Sequence, residues 1–213
     1  MGVRRPLPPY VTAAAPMRAP FVKLRGEAAQ PSTEPPALRR AVVTGPTGAL
    51  GANLVRELLK RDIAVYAVFR PDSARRGNLP VHPLVTAVPC ALDALAALPE
   101  QIGAPCDAFF HLAWEGPYGA ARGDAAMQQR NVAHTLDAVR AAHALCCKSF
   151  IGAGSQSEFG HVNGVLAPDL PCHPDTEYGR AKLLAGEQSR ALCETLGLRS
   201  SWCRILSLYG PFD

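Results

Sequence analysis

Thr44-Gly45-Pro46-Thr47-Gly48-Ala49-Leu50-Gly51 follows the apolar run Ala41-Val42-Val43 and leads into Ala52-Asn53-Leu54-Val55-Arg56-Glu57-Leu58-Leu59, where apolar residues recur at helical spacing. The order is strand, glycine turn, helix. Glycines at 45, 48 and 51 permit a tight turn, a close approach of backbone to a ligand, and close packing of helix on strand. The helix N-terminus adds unpaired N–H groups and the positive end of a dipole, which is what a pyrophosphate requires. The spacing here is Gly-x-x-Gly-x-x-Gly rather than the common Gly-x-Gly-x-x-Gly, and a triplet alone also fits an ordinary strand–helix turn. Val65-Tyr66-Ala67-Val68-Phe69 supplies a second strand ending 18 residues after Gly51, the distance a βαβ unit needs. The turn is therefore read as a dinucleotide site.

The rest of the chain repeats the alternation. Strands are expected at 41–44, 64–69, 84–88, 108–112, 148–153 and 201–206, and helices at 49–60, near 92–98, at 124–145 and at 176–196. Alternating strands and helices imply an α/β fold with a doubly wound parallel sheet, a Rossmann fold. Short apolar runs such as Ala108-Phe109-Phe110-His111-Leu112 suit strands covered on both faces. Residues 1–38 hold eight prolines and no sustained apolar periodicity, so a disordered Pro/Arg-rich leader is expected there, with the folded domain over 39–213.

Composition narrows the function. Of the chain's 22 Lys/Arg and 18 Asp/Glu, seven basic and two acidic residues fall in 1–40, so that stretch carries +5 and the remainder −1. The folded part thus has no basic excess to suggest nucleic acid. No apolar run approaches the roughly 20 residues that span a bilayer. Seven cysteines without a Cys-x-x-Cys pair fit buried free thiols in a reducing cytoplasm, and no metal site is expected.

Three further stretches carry chemistry. The second strand ends at Phe69-Arg70, where an NAD site usually places an acid on the adenosine ribose; an arginine suits the extra phosphate of NADP, with Arg75 and Arg76 nearby, although a solvated loop charge is the plainer alternative. Tyr178-Gly179-Arg180-Ala181-Lys182 sets a phenol and an ammonium four residues apart at a helix start, on one face. An ammonium there is expected to lower the tyrosine pKa toward neutrality. Phe150-Ile151-Gly152-Ala153-Gly154-Ser155 ends at the sheet edge where ligands bind in open α/β folds, so Ser155 is read either as a donor to a substrate carbonyl or as a turn cap.

Taken in order, Gly45-x-x-Gly48-x-x-Gly51, Asn131, Ser155, Tyr178-x-x-x-Lys182 and Arg204-Ile205-Leu206-Ser207-Leu208-Tyr209-Gly210-Pro211 resemble the extended short-chain dehydrogenases/reductases, and within them the NAD-dependent epimerase/dehydratase family that works on nucleotide sugars. The resemblance covers about 40–213. It implies that Tyr178 is the acid/base, that Lys182 tunes it and binds the nicotinamide ribose, that Ser155 polarises the reacting carbonyl or holds a sugar hydroxyl, and that Asn131 supports the site. It also implies that Gly45, Gly48, Ala49, Leu50 and Gly51 surround the pyrophosphate, that Leu112 and Ala113 line the adenosine side, and that Leu206 lies near the carboxamide. The family's paired long helices imply a homodimer.

Departures from the family pattern shape the expected activity. Its dehydratases carry an Asp-Glu pair just after the residue matching Ser155; Gln156 and Ser157 stand here, which disfavours dehydration. The adenine-contacting Asp after the third strand is Ala91, and Trp114-Glu115-Gly116-Pro117-Tyr118 brings large side chains where small ones are usual, either to face substrate or to pack under the loop. The sequence stops at Asp213, roughly a hundred residues before the family's usual end, so the C-terminal substrate lobe is expected to be missing. The reading is an epimerase or ketoreductase using NADP, or NAD, on a nucleotide-sugar-like substrate; the alternative is an inactive cofactor-binding module.

Overall fold

A computed structural model describes residues 38–212, so nearly all of the leader expected over 1–38 lies outside the described residues. β1 (Arg40–Thr44), β2 (Ala64–Phe69), β3 (Val85–Pro89), β4 (Ala108–His111), β5 (Ser149–Ser155) and β6 (Arg199–Ile205) form one sheet in the order β3-β2-β1-β4-β5-β6. Every pairing is parallel. The order reverses between β1 and β4, and in such sheets the crevice at that switch point binds ligand.

Alternation along β1 divides the core. Ala41 and Val43 pack with Val55 and Leu58 of α1 (Ala49–Leu59), together with Ile63, Val65 and Ala67. Val42 points to the opposite face, into a larger cluster with Phe109, Phe150, Val139 and Ala142 of α3 (Ala125–Ala144), and Cys193 of α4 (Glu177–Thr195). A strand buried on both faces cannot alternate apolar with polar, which accounts for the unbroken run Ala41-Val42-Val43.

The short helix expected near 92–98 is two elements. A 3₁₀ helix spans Leu92–Ala97, and α2 spans Leu98–Ile102, with Pro99 in its first turn. Leu92, Leu95 and Leu98 recur every third residue, the period at which 3₁₀ side chains eclipse on one face, and all three are buried. β5 runs two residues further than expected, to Ser155. That extension carries the serine to the carboxyl edge of the sheet. α3 is capped by Asp124, whose carboxylate accepts from Met127 N at 2.9 Å, and α4 by Thr176, whose hydroxyl accepts from Gly179 N at 3.0 Å.

Four of the seven cysteines (Cys90, Cys106, Cys147 and Cys193) are buried free thiols; Cys172 is half-buried, and Cys146 and Cys203 are exposed. No helix among the described residues is long and apolar enough to cross a membrane.

Candidate functional site

The glycine turn is shaped by three different constraints. Gly45 sits at φ +70°, where a side chain is strained, and a Cβ on it would stand 2.9 Å from Ala113 N. A Cβ on Gly51 would run into the Gly45 carbonyl oxygen. Gly48 has neither restriction: its φ is −80°, and the nearest atom to an added Cβ is Gly45 O at 3.7 Å, an ordinary contact. Packing within the chain does not require residue 48 to be bare. Gly48 is the N-cap of α1 and no side chain caps that end, so the N–H groups of Ala49, Leu50 and Gly51 are left without intrahelical acceptors.

Thr44 fixes the neighbouring strand ends. Its Oγ1 accepts from Leu112 N at 3.2 Å and Ala113 N at 3.3 Å and lies 3.0 Å from His111 Nδ1. With both lone pairs taken, the hydroxyl proton goes to Nδ1, so the imidazole carries its own proton on Nε2. Burial first, then the nearby Lys182 and His134, push the His111 pKa down to about 3, and the ring is neutral.

Beyond β2, the loop through Ser73 and Asn78 is tied to the turn by a 3.3 Å contact between the Ser73 and Thr47 hydroxyls and by Asn78 Nδ2 donating to Thr47 O at 2.9 Å. Arg70 stands at this rim, exposed and 3.5 Å from the Asp72 carboxylate, and Arg75 lines the same wall. Arg76 lies over the Phe69 ring and donates to Pro71 O. One cavity of about 1260 Å³ runs from Arg70, past Gly48 and Ala113, to Ser155, Tyr178 and Leu206. The bare glycine, the free helix N-terminus and the basic rim fit a dinucleotide laid along it.

At the cavity's other end, Ser155 closes β5. Its Oγ accepts from Ser157 N at 3.1 Å, while its own N–H donates to Glu158 Oε1 at 2.8 Å, a reciprocal capping box. Ser155 is thus a turn cap that also lines the cavity. α4 starts directly against this turn because Gly179 has no side chain; a Cβ there would collide with Ser157 O. Tyr178 is thereby set beside Ser155, with Trp114 edge-on at 6.0 Å between ring centres. Lys182 is buried, its Nζ donating to Ala153 O at 2.7 Å and lying 3.6 Å from the centre of the Trp114 ring.

Burial raises the Tyr178 pKa above the ordinary phenol value, the opposite of the fall expected from the lysine; the Ser155 hydroxyl and then the Arg122 guanidinium pull it down. Burial brings Lys182 itself down to about 7, against a smaller opposing pull from Glu158.

Asn131 hydrogen-bonds neither Tyr178 nor Ser155. It brackets the backbone of Glu115, accepting from Glu115 N at 2.8 Å and donating to Glu115 O at 3.0 Å. Gln128, which sequence reasoning passed over, does the same for the rest of that loop. It accepts from Trp114 Nε1 at 2.8 Å and donates to Gly116 O at 3.1 Å and Ala121 O at 2.9 Å. Trp114 thus both packs under the loop and lines the cavity.

Glu158 and Arg122 were also missed. Glu158 is fully buried, and besides Ser155 N its carboxylate accepts from Trp202 Nε1 at 2.9 Å and Arg204 Nε at 2.8 Å. Trp202 packs against Gly152 and Gly154 of β5 and Gly186 of α4, where no Cβ would fit. The alternating Gly152-x-Gly154 of β5 was the available signal: it predicts a bare strip for a large neighbour.

The model of the family described as NAD dependent epimerase/dehydratase matches residues 41–213. No curated protein sequence matches the chain. Among solved structures, the chain is similar to MoeE5 in complex with UDP-glucuronic acid and NAD, at 26% identity and a TM-score of 0.72 over 82% of this chain and 56% of that one. It is also similar to a UDP-N-acetylglucosamine 4-epimerase from Methanobrevibacter ruminantium M1, at 24% identity and a TM-score of 0.73 over 82% and 56%. A UDP-glucuronic acid 4-epimerase from Bacillus cereus, in complex with NAD, gives 22% and 0.70 over 82% and 58%. The chain therefore spans little more than half the length of these structures. With the family model covering all six strands and the whole cavity wall, the chain belongs to the NAD-dependent epimerase/dehydratase family.

Proposed function

We propose that the chain binds a nicotinamide dinucleotide along the glycine turn and takes part in hydride transfer at a sugar carbon of a nucleotide-sugar-like substrate, as epimerase or ketoreductase. The observation that carries this reading is the single cavity in which Gly48 and the free α1 N-terminus share a wall with Ser155, Tyr178 and Lys182. When bound, the nicotinamide supplies the hydride chemistry. The chain's own groups hold and move the proton: Tyr178 Oη exchanges it with the sugar hydroxyl, the Ser155 hydroxyl bonds the same oxygen, and Lys182 closes the floor through Ala153 O. Ala49, Leu50 and Gly51 offer their N–H groups to the pyrophosphate, Leu112 and Ala113 flank the adenosine, and Leu206 lies on the carboxamide side.

Arg70 and Arg75 at the adenosine rim support NADP over NAD, because a guanidinium pairs with a ribose phosphate in two parallel hydrogen bonds. Elimination of water is disfavoured: Gln156 and Ser157 have no titratable proton at the positions where a dehydratase needs an acid and a base. Trp114 and Tyr118, both lining the cavity, are proposed to face the sugar.

The test is a titration of the 213-residue chain with NADPH and with NADH, followed by nicotinamide fluorescence and melting temperature. Saturable binding, tighter for NADPH and accompanied by a higher Tm, is expected. Tyr178→Phe is expected to keep that binding and to abolish any turnover of a nucleotide sugar. A cooperatively melting chain that binds neither dinucleotide would overturn the reading.

A further inference from the structure

Arg122 brings a positive charge to the catalytic end of the cavity without an anion to match it. It stands on the 3₁₀ turn Gly119–Gly123, ahead of α3, and lines the cavity together with Ser155, Ser157 and Tyr178. Its guanidinium carbon lies 4.2 Å from the centre of the Tyr178 ring. Two neutral acceptors hold it there: Nη2 donates to Ser157 Oγ at 2.8 Å and Nη1 to Pro117 O at 3.2 Å. A guanidinium carries five N–H donors, so three remain, and among the described residues Arg122 makes no ion pair.

None of the acids nearby is its partner. Asp124 caps α3 through Met127 N, and the fully buried Glu158 carboxylate accepts from Ser155 N, Trp202 Nε1 and Arg204 Nε. Among the described residues Glu115 is the one acid lining the main cavity, and it also lines a smaller one beside Arg70 and Ala91, on the adenosine side. Withdrawing a guanidinium partly from water costs hydration that a paired carboxylate ordinarily returns. For the half-buried Arg122 no group of the chain returns it, and its spare donors belong to a side chain that lines the cavity. The fork of a guanidinium matches a carboxylate in two parallel, charge-assisted hydrogen bonds, which a neutral hydroxyl cannot offer.

We propose that Arg122, stacked on the Tyr178 ring and anchored by Ser157, selects the substrate by a carboxylate on the sugar itself, so that the chain prefers acidic nucleotide sugars to neutral ones. The placement follows from Tyr178. Its hydroxyl meets the reacting oxygen in the proposed function, so a guanidinium over the same ring reaches substituents on the sugar that carries the reacting carbon. A diphosphate offers the same oxyanion chemistry, but every nucleotide sugar has one, and pairing with it selects none of them. The inference rests on the proposed binding of a sugar beside Tyr178 and adds to it the class of sugar.

The experiment is an NMR titration of the full chain, labelled with nitrogen-15 arginine and saturated with whichever nicotinamide dinucleotide it binds more tightly. The Arg122 Nε signal is assigned by its loss in Arg122→Lys. The probes are UDP-glucuronic acid and UDP-glucose, which share the diphosphate and differ in the carboxylate. UDP-glucuronic acid is expected to shift the Arg122 signal and to bind about tenfold tighter than UDP-glucose, which should leave that signal in place. Arg122→Gln should bring the preference below about twofold with little change for UDP-glucose, and Arg122→Lys, which keeps the charge without the fork, should retain part of it. Ser157→Ala releases Nη2, should lower the preference by a smaller factor, and serves if Arg122→Gln does not fold. Equal affinity for the two sugars, binding of neither, or a preference undiminished in these variants overturns the proposal. So does an equal loss for both sugars in Arg122→Gln, which would assign the guanidinium to the diphosphate. The dinucleotide reading fails separately, when the chain binds neither NADPH nor NADH.

Discussion

The two ends of the cavity are built by different means. At the glycine turn the groups facing the cavity are backbone N–H donors, and the side chains matter by their absence: Gly45 for its positive φ, Gly51 because α1 lies against Gly45 O, and Gly48 with no such restriction within the chain and, on the proposed function, for the ligand. At the other end the working groups are side chains gathered from four places: Arg122 from a 3₁₀ turn, Ser155 and Glu158 from β5 and the turn after it, Tyr178 and Lys182 from α4, and Trp202 and Arg204 from β6. A backbone site is written in consecutive residues, so it can be read from them. A side-chain site is assembled by folding, and its members are separated by up to 82 residues between Arg122 and Arg204.

The sharpest way to break that contrast is at Glu158. Its carboxylate joins Ser155 N, Trp202 Nε1 and Arg204 Nε, so Glu158→Ala leaves three donors without their acceptor in the interior. Removing one partner of a buried pair typically costs 3–5 kcal/mol; the Arg204 side chain is 28% exposed and recovers some hydration, so about 3 kcal/mol is expected here. Urea unfolding measures it. A loss below about 1 kcal/mol would mean that β6 does not depend on this carboxylate, and that Ser155 is positioned by the β5 ladder alone.

The contrast also bears on what the sequence discloses. All six strands and three of the four helices fall within two residues of their expected bounds, because burial on both faces turns each strand into an unbroken apolar run. The segment 92–102 departed because 3₁₀ and α periods differ by only 0.6 residue per turn, too little to separate over ten residues. Tyr178, Lys182 and Ser155 were legible as types in a pattern. Their electrostatics were not: a four-residue spacing puts phenol and ammonium on one face but says nothing of the burial that discharges the lysine or of an arginine 56 residues upstream.

The discharged lysine has a measurable consequence of intermediate size. Lys182 titrates near 7 when folded and at its ordinary value of 10.5 when unfolded, so between those values the unfolded chain binds more protons. Stability must then rise with pH across that window and fall as pH drops through 7. The buried thiols act in the opposite sense above 9, since burial pushes Cys106 and Cys193 up to about 11 and Cys147 to about 12. The clean interval is pH 7 to 8, below the range in which the unfolded thiols ionise, where wild type should gain about 1 kcal/mol and Lys182→Met should stay nearly level. Equal slopes in the two proteins would show that the ammonium keeps its water in solution.

The smallest expected effect on stability discriminates most about the turn. Gly48→Ala places a methyl at ordinary contact distance from Gly45 O, on a backbone already at φ −80°, ψ 169°, which alanine adopts without strain. Replacing glycine at such a site lowers the entropy of the unfolded chain by about 0.5 kcal/mol, while alanine is a poorer N-cap than glycine by a similar amount, so the variant should stay within about 0.5 kcal/mol of wild type. The same methyl stands where a pyrophosphate would have to approach the N–H groups of Ala49 and Leu50, so NADPH binding should weaken tenfold or more, on the order of 1.4 kcal/mol. Gly45 and Gly51 cannot separate the two quantities, because a Cβ at either meets backbone and would disturb fold and ligand together. An alanine at 48 that cost well over 1 kcal/mol of stability as well as affinity would show packing at work there; one that lowered neither would remove the strongest single reason for laying a dinucleotide along α1.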